Sequence, residues 1–377
     1  MTFSINSFNN VAQILFLLIV WLSGCAPKNG PALDQVNYSP VFEKTPLIAV
    51  LPLANLSGTP VPLNDLRASL INSFNELGLN LLDQETLERF IVRHRVRYVG
   101  GLDRVIARDL KFETGADAVL ITSVELYSED PPPKVALTLR LIATGSNPAV
   151  LWIYGLGLAG NDSIGILELS LIEDPRILIR NAVRHLSTSL VEYISGETYS
   201  MATERDIIKF WPQAFYRSPI LEPGMKHTVA VVPFFNLSER RFAGEIMALH
   251  FVRQLRALGN FTVIEPGIVR QALLKRRIIM EDGMSLADAD ALFSELDADV
   301  ILSGKVFDYQ DYRGPAGKSK VDFSALLTEK QSREVVWACE SNYDGDYGVF
   351  FFDWGKINTA HRMASEMVAS ALETLVE

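Results

Sequence analysis

The chain has 377 residues, of which 48% are hydrophobic and 21% charged, and it contains two cysteines. This composition is that of an ordinary globular protein and excludes a disordered, collagen-like or disulfide-stapled chain. The length suffices for two domains with separate cores. The formal net charge of -10 argues against a nucleic-acid partner, because phosphate backbones are bound by an excess of Lys and Arg.

Residues 11–22 form an almost unbroken apolar run, VAQILFLLIVWL, with the length of a signal-peptide hydrophobic region. The run is shorter than the roughly 20 residues that a helix needs to cross a bilayer. Leu22-Ser23-Gly24-Cys25 follow directly, and this segment resembles the lipobox of bacterial lipoproteins. The resemblance implies a signal peptide over residues 1–24 and an acylated Cys25. The alternative is a buried core helix that ends in a chance cysteine.

Acylation of Cys25 predicts a protein that lies on a membrane without spanning it, since two or three acyl chains anchor a protein stably. By the same resemblance, an Asp after the cysteine favours the inner membrane, so Ala26 indicates the outer membrane. Residues 25–45 contain three prolines and no sustained apolar period, which is typical of a semi-extended tether. We therefore expect a lipid-anchored protein on the periplasmic face of the outer membrane.

The rest of the chain is a tandem duplication. Ile48 to Gly58 (IAVLPLANLSG) matches Val229 to Glu239 (VAVVPFFNLSE) at six of eleven positions. The register persists, because Leu77-Gly78 recurs as Leu258-Gly259 and Ala116-Asp117 as Ala298-Asp299. A repeat of this length indicates two copies of one structural unit.

Both copies predict the same elements in the same order. A short apolar strand containing a proline comes first, at 47–53 and 229–235, and an amphipathic helix follows that ends at Gly78 or Gly259. A short strand, at 79–82 and 261–264, precedes a helix that ends near Arg95 or Arg277. A further helix is predicted around 286–296. A third strand then follows the Ala-Asp pair, at 119–124 and 300–306. Two hairpin-forming strands, at 135–143 and 149–157 or 321–328 and 334–341, lead to a final helix.

This order, with its φ-Ala-Val-φ-Pro-φ-x-Asn opening strand (φ, apolar residue), resembles the periplasmic α/β domain shared by CsgG, PelC, LpoB and the amino-terminal domain of TolB. The resemblance implies non-enzymatic envelope components, several of which form rings or dock on larger machines. We predict an α/β (α+β) fold of two tandem domains, each a mixed β-sheet covered by helices. The predicted boundaries are 46–195 for the first domain, 196–226 for a connector and 227–377 for the second domain.

The sequence contains no recognisable catalytic or cofactor motif. The five histidines do not form HxxxH, HxH or CxxC-type spacing, and no Gly-rich phosphate loop is present. Neither a catalytic residue, a metal ligand nor a cofactor is therefore predicted. Cys339 lies in an apolar stretch and is expected to be a buried free thiol.

The recurring Asn-Leu-Ser segments are candidate contact sites. Asn55 and Ser57 follow the first strand of the first copy, and Asn236 and Ser238 follow that of the second. Loops in this position often bind ligands in α/β folds. The alternative is that each Asn or Ser closes a turn or caps the next helix.

A second candidate contact region is the acidic and aromatic stretch 342–354, NYDGDYGVFFFDW. Its Tyr347, Phe351 and Trp354 could contact a partner or a membrane interface. The alternative is that these rings pack beneath the last helix.

Taken together, these features predict a non-enzymatic structural or docking component of an envelope assembly or secretion machine. Its expected partners are the outer membrane, through acylated Cys25, other envelope proteins, and other copies of this chain in an oligomer or ring. The alternative function is a periplasmic module that binds a small ligand or peptidoglycan through the loops after the first strands.

Overall fold

The computed structural model describes residues 42, 44–162, 171–196, 209–221, 224–280, 283–312, 317–349 and 355–376. These residues belong to one compact unit. The predicted lipid-attachment residue Cys25 and the aromatic residues Phe351 and Trp354 lie outside the described residues. Within the described part of the chain, no helix is both long enough and apolar enough to cross a membrane.

In the first half, residues 46–195, acidic residues cap three of the helices. Asp83, Asp103 and Asp174 each accept backbone N–H groups from the first turn, which satisfies donors that a helix leaves unpaired. The strands are β1 (Ile48–Val50), β2 (Ala54–Asn55), β3 (Ala118–Ser128), β4 (Lys134–Ala143) and β5 (Val150–Ala159). The helices are α1 (Leu63–Glu76), α2 (Gln84–Arg93), α3 (Arg104–Thr114) and α4 (Pro175–Ser195).

The connector and the second half, residues 227–377, repeat this order with two added strands, β6 (Ala214–Arg217) and β9 (Phe261–Val263). Strand β6 lies within the predicted connector. The other strands are β7 (His227–Val231), β8 (Phe235–Asn236), β10 (Val300–Gln310), β11 (Lys320–Glu329) and β12 (Val335–Asp344). The helices are α5 (Ala243–Ala257), α6 (Pro266–Arg276), α7 (Leu286–Leu296) and α8 (Ala360–Val376).

The two sheets share one topology. In the first sheet β3 pairs in parallel with β1 and β2 and antiparallel with β4, and β4 pairs antiparallel with β5. In the second sheet β10 pairs in parallel with β7 and β8 and antiparallel with β11, which pairs with β12. The second sheet is wider, because β9 adds beside β7 and β6 beside β12. These helix-covered mixed sheets confirm the predicted α/β (α+β) fold.

Equivalent residues of the two copies make the same hydrogen bonds in each half. Asp117 Oδ2 accepts the backbone N–H of Leu47 at 2.8 Å, and Asp299 Oδ2 accepts that of Thr228 at 2.7 Å. Each Ala-Asp pair therefore ties the start of β3 or β10 to the neighbouring parallel strand. The register is also conserved, with Ile48 opposite Ala118 and Val229 opposite Val300.

Helices α5 and α8 lie between the two sheets. Both pack on strands of the second sheet, and both also contact β5 of the first sheet. Val150 and Ile153 of β5 consequently belong to the core of the second half. We use the term seam for the contact of β3, β4 and β5 with α5, α8 and the segment before α6. On the opposite face of the first sheet, α1 and α4 cover a second core.

Two local expectations differ from the structure. The predicted strand at 79–82 is reduced to a single bridge between Ile48 and Leu81, because the parallel neighbour β1 is only three residues long. The strand β6 was not predicted, since its four residues carry no sustained alternation. Cys339 is a buried free thiol as predicted, and burial raises its pKa to about 12.

Candidate functional site

The two Asn-Leu-Ser segments form identical turns. Asn55 Nδ2 donates to the carbonyl of Thr59 at 2.8 Å, and Asn55 Oδ1 accepts from Ser57 N at 3.0 Å and Ser57 Oγ at 2.7 Å. In the second half, Asn236 Nδ2 donates to the carbonyl of Arg240 at 2.7 Å, and Ser238 repeats both bonds to Asn236 at the same distances. The side-chain amide thus replaces backbone partners in both turns.

The fold brings these two turns close together at the seam. A Cβ added at Gly58, in the first turn, would lie 3.6 Å from the Cβ of Arg241, which follows the second turn. Gly58 has a φ of 74°, a conformation that favours glycine. Sequence-distant copies of one motif therefore face each other across the boundary between the halves.

A cleft of about 620 Å³ opens beside the first of these turns. Its exposed charged side chains are acidic, namely Glu129 and Asp130, whereas Lys134 is buried. Both halves contribute to its wall, which is formed by Ser57, Thr59, Pro60, Val61, Pro62, Leu126, Tyr127, Ser128, Glu129, Asp130, Pro132, Lys134, Arg240, Asp311 and Tyr312.

The basic groups in the cleft are engaged by the protein itself. Lys134 Nζ donates to the carbonyls of Tyr312 and Asn358, both at 2.9 Å, and burial lowers its pKa. Arg240 pairs with Asp311 at 3.1 Å and also donates to the backbone carbonyl of Glu125. These two cations therefore join the halves, and the open side of the cleft keeps its acidic character.

Asp311 connects the cleft to helix α8. Its Oδ1 accepts the backbone N–H of Ala360 at 2.7 Å, which anchors the first residue of that helix. Its other oxygen accepts from Arg240. The position of His361, the next residue of α8, is consequently tied to the floor of the cleft.

Beneath this floor lies a buried polar cluster contributed by both halves. Glu125 lies at an irregularity in β3, where Val124 and Leu126 pair with consecutive residues of β4. Such bulges redirect a side chain out of the regular alternation. Glu125 Oε2 lies 2.5 Å from His361 Nδ1, and both side chains are almost completely buried. One of the two groups must carry a proton at this distance.

His250 on α5 completes the cluster. Its ring centroid lies 4.6 Å from that of His361, and its Nε2 lies 3.3 Å from the hydroxyl of Tyr309. Burial lowers the pKa of His250 well below its usual value, and the nearby His361 and Arg253 lower it further. This ring is therefore neutral. Burial and Glu125 raise the pKa of Tyr309, which keeps its hydroxyl protonated.

Glycines on β5 make room for the histidine. A Cβ at Gly155 would lie 3.0 Å from His361 Nε2, and a Cβ at Gly157 would lie 2.8 Å from Thr359 Oγ1. A contact of 2.8 Å is closer than real Cβ atoms come and one of 3.0 Å is unusually tight, so a larger residue at either position would displace the side chain of Thr359 or His361. The two glycines therefore permit the close contact between β5 and the start of α8.

A second buried ion pair crosses the seam at the far end of β4. Arg140 Nη1 lies 3.7 Å from Glu265 Oε1, and Arg140 also donates to the carbonyl of Gly100 at 2.5 Å. Glu265 caps α6 and accepts the backbone N–H of Leu102 at 3.3 Å. Burial raises its pKa to about 7 in spite of Arg140 and these backbone donors.

The predicted site residues are distributed over several places. Ser57 lines the cleft, and Asn236 and Ser238 hold the turn that carries Arg240. Tyr347 is half exposed and stacks edge-on against Tyr343 at 4.6 Å; it does not line the cleft. Contact of these residues with a partner stays a prediction. Cys25, Phe351 and Trp354 lie outside the described residues.

Sequence reasoning missed the buried cluster of Glu125, His250 and His361. Metal-ligand spacing gave no signal, because the three residues come from three different elements. A usable signal existed in the repeat, since the position of Glu125 corresponds by register to Phe307. A charged residue that replaces an apolar one at an equivalent bulge indicates a changed environment.

Comparisons with known proteins give partial likenesses to solved structures. No protein-family model matches the chain, and no curated protein matches it. Among solved structures, the PelC dodecamer from Paraburkholderia phytofirmans is 18% identical over 43% of this chain and 94% of that chain, with a TM-score of 0.30. Lipoprotein GNA1162 from Neisseria meningitidis is 21% identical over 38% of this chain and 97% of its own, with a TM-score of 0.27.

A third match is the LpoB C-terminal domain from Salmonella enterica, which is 13% identical over 33% of this chain and 87% of its own, with a TM-score of 0.25. Each of these three structures corresponds to less than half of the present chain. Likenesses of this size carry no information about function, which has to be argued from the residues themselves.

Proposed function

We propose that this chain is a non-enzymatic lipoprotein, anchored through Cys25 to the periplasmic face of the outer membrane, that docks other envelope proteins at the cleft between its halves. The observation that carries the proposal is the cleft itself, whose wall comes from both halves. Lys134 and the Arg240–Asp311 pair hold that wall in place. The lipobox-like Leu22-Ser23-Gly24-Cys25 supplies the anchor in this proposal.

The chemistry of the cleft indicates the kind of partner. Glu129 and Asp130 are exposed at its edge, and Tyr127 and Tyr312 add aromatic surface. An acidic and aromatic groove is complementary to an extended segment that carries Lys or Arg. We therefore expect the docked segment of the partner protein to be basic.

Site-specific cross-linking in intact cells tests the docking surface. A photoreactive residue at position 129 should yield one dominant adduct with another envelope protein. The control position is Phe112 on α3, which is 90% exposed and does not line the cleft. The same adducts from both positions, or none from position 129, would exclude the cleft as the docking surface.

Fractionation of membranes tests the anchor. The variant Cys25→Ser should leave the outer-membrane fraction in a carbonate wash, because the acyl chains provide most of the membrane affinity. Cys339→Ser is the matched control, since this second cysteine is buried and should not affect fractionation. A Cys25→Ser protein that still sediments with the outer membrane contradicts lipid anchoring.

A small ligand or a peptidoglycan fragment is the second candidate occupant. The volume of about 620 Å³ lies within the range of ligand pockets, and the hydroxyls of Ser57 and Thr59 line it. Co-sedimentation with purified peptidoglycan separates the two candidates. Binding that Glu129→Lys abolishes, without any protein adduct at position 129, favours the ligand over the docked protein.

A further inference from the structure

We propose that Glu125, His250 and His361 together bind one divalent transition-metal ion, for which Zn²⁺ is the probe. The three residues come from β3, α5 and α8, so the ion would join the two halves. One donor atom from each residue lies within 4.8 Å of the others, and all three side chains are buried. This proposal is independent of the docking function, because the site lies beneath the cleft.

The donor set is that of a transition metal. Two imidazole nitrogens and one carboxylate oxygen suit Zn²⁺ and neighbouring first-row ions, whereas Ca²⁺ and Mg²⁺ prefer oxygen ligands alone. Given separations of at most 4.8 Å, an ion centred among the donors would start no more than roughly 2.8 Å from each. Zinc bonds of about 2.0–2.2 Å are then reached by side-chain movements of less than about 1 Å.

The cluster also contains polar atoms without a partner. Glu125 Oε1 and His361 Nε2 are buried and make no hydrogen bond among the described residues. Buried polar atoms are normally satisfied, and each unsatisfied one needs an explanation such as an absent ion or water. An ion held by the carboxylate of Glu125 would give this group the partner that it lacks.

Glu125 and His361 must rearrange to share an ion. Glu125 Oε2 and His361 Nδ1 lie 2.5 Å apart, so the hydrogen bond between them breaks if both atoms become ligands. The proton of that bond then passes to His361 Nε2, which has no partner among the described residues, or to solvent. Neighbouring ligands of a tetrahedral zinc ion lie about 3.3 Å apart, so the two atoms separate by less than about 1 Å.

Calorimetric titration of the full-length protein in detergent tests the site. After treatment with EDTA, the protein should bind one equivalent of Zn²⁺, its melting temperature should rise, and EDTA should reverse that rise. A wild-type protein that binds no stoichiometric Zn²⁺ overturns the proposal.

Substitutions locate the ion. His250→Gln and His361→Gln should each weaken Zn²⁺ binding by at least about tenfold. The matched control is His94→Gln, because His94 lies 2.6 Å from Glu113 and 3.8 Å from Asp109 on the surface. Unchanged affinity in the first two variants, or loss of binding in the control, places the ion elsewhere and contradicts the proposal.

A measurement on the wild-type protein tests the site even if the substituted proteins fail to fold. X-ray absorption of the zinc complex should show two imidazole ligands and one carboxylate. A spectrum with fewer than two imidazoles overturns the assignment, because only His250 and His361 supply imidazoles to this cluster among the described residues.

Discussion

The two halves of the molecule share their strand register and their Asn-Leu-Ser turns, yet equivalent elements are buried to different extents. Strand β4 is buried at every position except its last, whereas its counterpart β11 alternates between buried and half-buried residues. The seam-facing side of β4 is covered by the second half, and the equivalent side of β11 has no such cover among the described residues. The seam face of β4 carries Lys134, Thr138 and Arg140, so its burial is accompanied by hydrogen bonds and an ion pair that cross the seam.

The helices show the converse difference. Helix α1 buries only Leu66, Leu70 and Phe74, whereas α5 buries residues on all sides. Helix α5 lies between two sheets, and α1 lies against one. The comparison teaches that duplication supplied the elements, while packing of one copy on the other decided which of their faces became buried.

The residues at the equivalent bulges of β3 and β10 also differ in burial. Glu125 faces the seam and contacts His361, whereas Phe307, at the corresponding place in β10, is 44% exposed. An exposed phenylalanine and a buried carboxylate both depart from the usual preference. The seam explains the carboxylate, and nothing in the described residues covers the phenylalanine.

The largest effect on stability is expected when a residue on the seam face of β4 is replaced by the residue found at the equivalent position of β11. Ala136 on β4 corresponds by register to Asp322 on β11. Ala136→Asp should lower the free energy of unfolding by about 4 kcal/mol, because it buries an unpaired carboxylate in the seam. Asp322→Ala should change it by less than about 1 kcal/mol, since this position is half exposed. Urea denaturation measures the free energy of unfolding of both variants. Equal changes would contradict the difference in burial between β4 and β11.

Removal of Arg140 should have the next largest effect. Arg140→Ala leaves Glu265 without its buried partner and should reduce the free energy of unfolding by about 3 kcal/mol near neutral pH. The matched control is Arg93→Ala, whose pair with Glu113 is on the surface and is expected to contribute less than about 1 kcal/mol. Similar losses in both variants would show that the seam pair has no special role.

The pH dependence of the same variant sharpens this test. Glu265 has its pKa raised from 4.5 to about 7 in the folded protein, so its stabilising contribution is complete below the unfolded value and is lost as pH rises through about 7. Arg140 lowers this pKa, and its removal raises it further. The deficit of Arg140→Ala should therefore be larger at about pH 8 than at about pH 5. Urea unfolding of the wild-type and Arg140→Ala proteins at both pH values measures this deficit in the free energy of unfolding. A deficit that does not change with pH would contradict burial of the Glu265 carboxylate.

The smallest effect concerns the feature that the halves share. Asn55→Ala and Asn236→Ala should each cost about 1 kcal/mol, because each removes equivalent hydrogen bonds within a turn. Asn72→Ala, at an exposed position of α1, serves as the control and should be nearly neutral. Thermal unfolding of the three variants measures these changes in stability. Unequal losses for Asn55 and Asn236 would show that the turns are not equivalent.

Much of each half could be predicted from the sequence. The amphipathic spacing in α1, the glycines at 78 and 259, and the Ala-Asp pairs were sufficient to place the first helix of each half, its end and the central strand, whereas α3 was not predicted. These features are local, because periodicity, capping and positive φ depend on neighbours in the chain. The alternative reading of Asn55 and Asn236 as turn-closing residues was also available locally.

The candidate site could not be predicted in the same way. Glu125 and His361 are 236 positions apart, and their contact depends on a bulge in one half and the start of a helix in the other. The ion pair of Arg140 with Glu265 likewise joins residues that no periodic pattern connects.

The sequence by itself determined the duplication, the order of elements and the chemistry of the turns, because each of these is set by residues close together in the chain. Only the tertiary structure decided that α5 and α8 lie between two sheets and that acidic, basic and imidazole groups meet there. Those contacts follow from how two large surfaces fit together, and that fit depends on packing across the whole fold.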